Sequence, residues 1–133
     1  ITTDFYPTIL DLAGLPLKPE QHLYGVILKP FLQGEEPLKR EALFWHYPHY
    51  SNQGGIPGGA IRMDDWKLIE RFEDGQAHLY NLKTDVGEKQ DLAAAEPERV
   101  KEMRRRLHQW YTETDAKFLQ PKPGGPEPWR PEK

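Results

Sequence analysis

The spacing of apolar residues changes period along the chain, and each period predicts a different element. In TTDFYPTILDLAGL (residues 2–15), Phe5, Ile9, Leu10 and Leu12 give one apolar side at helical spacing. Thr3 can cap that helix, Asp4 suits its positive N-terminal end, and Gly14 is a natural stop. Pro7 fits because it falls in the first turn, where amide hydrogens have no intrahelical partner. The next stretch, PLKPEQHLYGVILKPFLQGEE, predicts an irregular connection with one helical turn around Leu28 to Leu32.

From residue 42 the period falls to that of strands. ALFWHY (42–47) and GAIRM (59–63) are rich in aromatic and branched residues and bounded by turn formers. In WKLIERF (66–72), Trp66, Leu68 and Phe72 share one face, while Lys67, Ile69 and Arg71 share the other. Asp64-Asp65 and Glu73-Asp74-Gly75 can turn the chain, the latter into AHLYNL (77–82). Short connections in succession predict an antiparallel meander of about four strands, one face of which needs a cover. Helical spacing then returns: Val100, Met103, Leu107, Trp110 and Tyr111 form a stripe behind Pro97 and Glu98, a good helix start. The tail QPKPGGPEPWRP is proline-rich and extended, with Trp129 as a docking point. The expected fold is α+β, an antiparallel sheet covered by a long C-terminal helix. Residues 1–41 form a linking segment, 42–120 the α+β subdomain and 121–133 the tail.

Composition narrows the function. The chain has 133 residues, enough for one modest core, with 37% hydrophobic residues and thirteen prolines. A net charge of −3 argues against a nucleic-acid partner, which needs a basic footprint. No apolar run approaches the roughly 20 residues of a membrane span. The opening ITTDFYPTIL has neither a basic-then-apolar lead nor an initial methionine, and predicts a piece of something longer. The chain has no cysteine, which excludes disulfides and thiol chemistry.

Candidate chemistry concentrates in FWHYPHYSNQGG (44–55). His46 and His49 are three apart, but Pro48 opposes a helix there and a strand would send them to opposite faces, so a shared metal is disfavoured. Ser51 is the only serine and lacks the G-x-S-x-G surroundings of an activated nucleophile. GGIPGG (54–59) lacks the lysine of a phosphate loop.

The order of TDFYPTILDLAGLPL, LYGVILKPFLQGEE and AIRMDDWKLIERFEDGQAHLYNLKTDVGEKQDLA, followed by a helix carrying Leu107 and Trp110, resembles the C-terminal end of the formylglycine-dependent sulfatases, the arylsulfatase family of the alkaline phosphatase superfamily. The resemblance covers residues 2 to about 115. Val86-Gly87 stands where many relatives have a proline, and Asp91 where an asparagine is usual. The resemblance implies a sulfuric ester hydrolase acting on sulfated glycans or aryl sulfates, exported to the periplasm or medium. Its catalytic C/S-x-P-x-R motif is missing here: Ser51 is followed by Asn52-Gln53-Gly54. Formylglycine and calcium are therefore implied for a missing N-terminal catalytic domain, the expected partner, and no catalytic or metal residue is assigned to this chain, which is expected to be inactive alone.

Within that resemblance the aromatic loop lies near the substrate's sugar. Tyr47 and Tyr50 can stack on sugar rings, His46 and His49 can bond hydroxyls or, when protonated, anions, and Arg62 can pair with an anionic group. The competing reading makes the aromatic residues sheet packing and the histidines an interface. The alternative class is a free-standing glycan- or protein-binding module of the same plan. A subdomain without its partner should expose an apolar patch around residues 5–28, whereas an independent module should cover it.

Overall fold

The apolar periods translate into a short helix, a four-stranded sheet and a long helix, in a computed structural model that describes residues 1–131. A 3-10 turn (Thr2–Asp4) leads into α1 (Phe5–Leu12), and α2 (Lys29–Leu32) is a single turn. The strands are β1 (Leu43–Tyr47), β2 (Gly58–Met63), β3 (Trp66–Arg71) and β4 (Ala77–Asn81), followed by α3 (Pro97–Glu113). The sheet is an antiparallel meander in the order β1-β2-β3-β4, so the α+β reading holds. No helix among the described residues is long and apolar enough to cross a membrane.

The chain divides into two compact units, Ile1–Arg40 and the remainder from Glu41. The first is organised by a buried carboxylate rather than an apolar core. Asp4 is 1% exposed and accepts a fork of hydrogen bonds from the Arg40 guanidinium, one of them 3.0 Å long, and another at 3.0 Å from the Val26 amide. The Thr8 hydroxyl bonds the Asp4 carbonyl at 2.6 Å and accepts from the Leu28 amide at 2.9 Å, so α1 is stitched to the returning loop. Gly25 sits where that loop crosses α1; a Cβ there would lie 2.3 Å from the Thr3 carbonyl oxygen. Asp4 therefore serves as a tertiary clamp, not the dipole partner that its place before the helix suggests. Thr3 makes no cap, and Gly14, at φ +66°, ends the helix as expected.

In the second unit the register sorts the residues into rows. Phe44, Ile61, Leu68 and Leu79 are direct neighbours across all four strands, on the face that α3 covers. Ile61, Leu68, Phe72, Leu79, Met103, Leu107 and Tyr111 form the core, and Phe44 stacks on Trp110 at 5.0 Å. The next row on that face is His46, Gly59, Glu70 and Ala77. Gly59 leaves room for the Tyr111 phenol, since a Cβ there would be 1.9 Å from its oxygen. Glu70 is fully buried and accepts from Arg104 Nε at 2.8 Å and from His108 Nε2 at 2.9 Å. Trp129 returns from the tail to stack on Phe72 at 6.0 Å, as its expected docking role requires.

Candidate functional site

The uncovered face of the sheet carries the other set of rows. Leu43, Arg62, Lys67 and Tyr80 form one; Trp45, Ala60, Ile69 and His78 the next; Tyr47, Gly58 and Arg71 the third. Strand alternation alone brings these side chains to one surface. Part of that surface lines a groove of about 460 Å³, with Trp45, Tyr47 and Ile56 as its aromatic and apolar side, and Arg62 and Lys67 as its cationic side. Small residues at Gly58, Gly59 and Ala60 keep the floor low between them. Lys67 is neutralised by Glu88 at 2.7 Å, whereas Arg62 is exposed and spends only its Nε, on the Asp64 carbonyl at 3.2 Å. Its terminal nitrogens are the groove's available donors for an anion.

The five residues singled out from the sequence separate here. Tyr47 and Arg62 belong to the groove. His49, just past β1, lies edge-on to Tyr47 with ring centroids 5.4 Å apart and is exposed. Tyr50 is exposed and donates to Glu73 at 3.1 Å; that bond, first, and the carboxylate's charge push its phenol above the ordinary range. His46 has the opposite parity and points under the sheet. Its ring lies 5.2 Å from Phe72, 5.4 Å from Tyr111 and 5.3 Å from Phe118, and its Nε2 donates to the Lys117 carbonyl at 2.6 Å. Burial lowers its pKa, outweighing the Lys117 bond that favours the charged form, so His46 is a neutral packing residue at neutral pH.

Trp45, Lys67 and Ile56 join the groove although the sequence reading gave them no role in it. The signal was the parity of each strand: Trp45 is two residues from Tyr47, and Lys67 faces Arg62 directly across the ladder. Below the groove the connection after β4 is fixed by carboxylates. Asp85 accepts from the Lys89 and Gln90 amides, both at 2.8 Å, while Glu88 turns to Lys67. Asp91 accepts from the Leu79 and Ala93 amides and meets His78 at 2.8 Å. Burial would raise its pKa, but these donors outweigh it and hold the carboxyl below its ordinary value.

Among the described residues, no group of three or more His, Cys, Asp or Glu is disposed to hold a metal ion. Nor does Ser51, in Ser-Asn-Gln-Gly, fit the formylglycine precursor motif. The residues present therefore do not fit calcium or formylglycine, and no chemical step is assigned to them.

The site is thus an aromatic and cationic groove on the free face of a four-stranded meander that one helix covers from the other side. Residues 1–117 match the N-sulphoglucosamine sulphohydrolase C-terminal family, and the chain belongs to it. It is 33% identical over 129 residues to a sulfatase of Formosa agariphila, covering 86% of this chain and 23% of that protein. It is also 33% identical over 97 residues to a Delta 4,5-hexuronate-2-O-sulfatase of Bacteroides thetaiotaomicron, covering 69% of this chain and 19% of that one. A structure solved with its substrate D-glucosamine-2-N,6-O-disulfate superposes with a TM-score of 0.71 at 30% identity, over 85% of this chain and 24% of the other. The chain thus spans about a quarter or less of the relatives it matches.

Proposed function

We propose that this chain is the C-terminal subdomain of a sulfatase that hydrolyses sulfate esters of glycans, and that its free sheet face helps to hold the substrate's sugar. The observation that carries the reading is the family match over residues 1–117, beside relatives named as a sulfatase and a hexuronate-2-O-sulfatase of which the chain covers less than a quarter. The exposed apolar residues of the first unit support it: Phe5, Ile9, Leu12 and Leu23 are 59, 61, 59 and 70% exposed, as expected of a surface made for a partner. A free-standing module would have buried them. The catalytic formylglycine and calcium then belong to the N-terminal domain of the parent, which is exported to the periplasm or medium.

In this reading Trp45 and Tyr47 stack on a sugar face, Arg62 holds a sulfate or carboxylate, and His49 and Tyr50 extend the contact along the rim. His46 acts indirectly, holding β1 against the core. The parent enzyme should release sulfate from sulfated disaccharides, and residues 1–133 alone should release none. In the parent, Tyr47→Ala and Arg62→Ala should each raise KM about fivefold to tenfold with a smaller change in kcat, because they remove binding away from the reacting bond. Sulfate release by the isolated chain, or a parent inactive on every sulfated sugar, would sink the reading.

A further inference from the structure

We infer that a second groove, between α3 and the tail on the other side of the sheet, binds an acidic saccharide. Lys101, Arg104, Arg105 and His108 stand at i, i+3, i+4 and i+7 on α3 and so form one continuous stripe. With Trp129 they line a groove of about 580 Å³, within the range of small-ligand clefts. No aspartate or glutamate is among its lining residues. Arg104 and His108 are anchored from beneath by the buried Glu70, and Arg104 Nη2 also donates to the Gly75 carbonyl at 2.7 Å. Their positions are thus fixed. Lys101 and Arg105 form no ion pair among the described residues, so their charges remain available. One buried carboxylate against three permanent cations leaves the groove net positive.

The indole is as firmly placed as the cations. Trp129 stacks on Phe72 and lies over Gly75, where a Cβ would come 2.2 Å from its ring nitrogen. It borders the cationic stripe 6.0 Å from the His108 ring centroid. An aromatic plane beside guanidinium and ammonium donors fits a sugar ring bearing sulfates or carboxylates. The family match ends at residue 117, so Trp129 lies outside the matched segment. The choice of a saccharide over other polyanions rests on the proposed function; the groove itself does not.

The test is an amide and indole NMR titration of residues 1–133 with a heparin-derived tetrasaccharide at low salt, with cellotetraose, a hexaribonucleotide and inorganic polyphosphate as competitors. The Trp129 indole N–H, identified by its loss in Trp129→Phe, and the amides of 101–108 should shift. The double variant Lys101→Ala/Arg105→Ala, both exposed and expected to fold normally, should weaken binding by about tenfold or more. Shifts confined to Tyr47 and Arg62, unchanged affinity in the double variant, or equal affinity for the ribonucleotide or polyphosphate would overturn the inference. Sulfate release by the parent is measured separately: an active parent without groove binding sinks only this proposal, and groove binding with an inactive parent sinks only the functional reading.

Discussion

Glu70 sits at a position that strand alternation assigns to the core, between Leu68 and Phe72 on one face of β3, and it is as buried as they are. A carboxylate can be tolerated there because α3 brings Arg104 and His108 to its two oxygens. Glu70→Ala leaves two buried-side donors unpaired and should cost about 3 kcal/mol, read as a lower urea midpoint. Glu70→Gln keeps the shape and an acceptor and should cost about half as much. Tyr111 shares the cluster. Burial, then the charge of Glu70, drives its phenol far above the ordinary range, and its hydroxyl finds no hydrogen-bond partner among the described residues. Asp4 is the matching case in the first unit. Burial would raise its pKa, but Arg40, the Val26 amide and the Ile1 nitrogen together hold it at about 2, against 3.8 when unperturbed. The folded value is the lower one, so the clamp contributes its full stability, about 2 kcal/mol, above pH 4 and loses it as pH falls toward 2. Acid titration should show that loss in the wild type, and Asp4→Asn should start lower and depend less on pH over the same window.

At the scale of elements, the sheet and α3 were legible because each declares its period. Trp66, Leu68 and Phe72 alternate, and Met103, Leu107 and Tyr111 recur every four. Both patterns come from which side chains meet the core, which is why burial follows them. The polar residues woven into those same faces were harder to read. Glu70 lies between two apolar neighbours, Arg104 beside the apolar stripe of α3, and His46 next to Tyr47 although the two differ in parity. Strand parity places Glu70 and His46 on the covered face; which charges meet them there depends on how α3 crosses the strands, and no local pattern encodes that. Gly59 makes the crossing close. Gly59→Ala would drive a methyl into the Tyr111 oxygen and should destabilise by about 2 kcal/mol, measured by thermal melting. Leu107→Ala should cost about 3 kcal/mol without altering the sheet's circular dichroism.

For the molecule as a whole, the two units are built on different principles. From Glu41 onward the chain buries an apolar core; up to Arg40 it buries a carboxylate and turns its large apolar side chains outward. That outward turn was foreseen from the excess of apolar residues over local core, because forty residues cannot enclose them all. The isolated chain should therefore bind an apolar dye strongly and associate as its concentration rises. Ile9→Glu with Leu12→Glu should suppress both without lowering the melting temperature of the sheet.

The fork between Arg40 and Asp4 ties the two ends of the first unit together, so it also dictates where the polypeptide can be cut. A protein begun at Glu41 discards both halves of the pair at once and inherits no orphaned charge. One begun anywhere from Phe5 to Lys39 keeps the guanidinium and throws away its carboxylate. Proteolytic trimming of the parent should accordingly yield fragments that start before Phe5 or after Arg40, with few surviving in between.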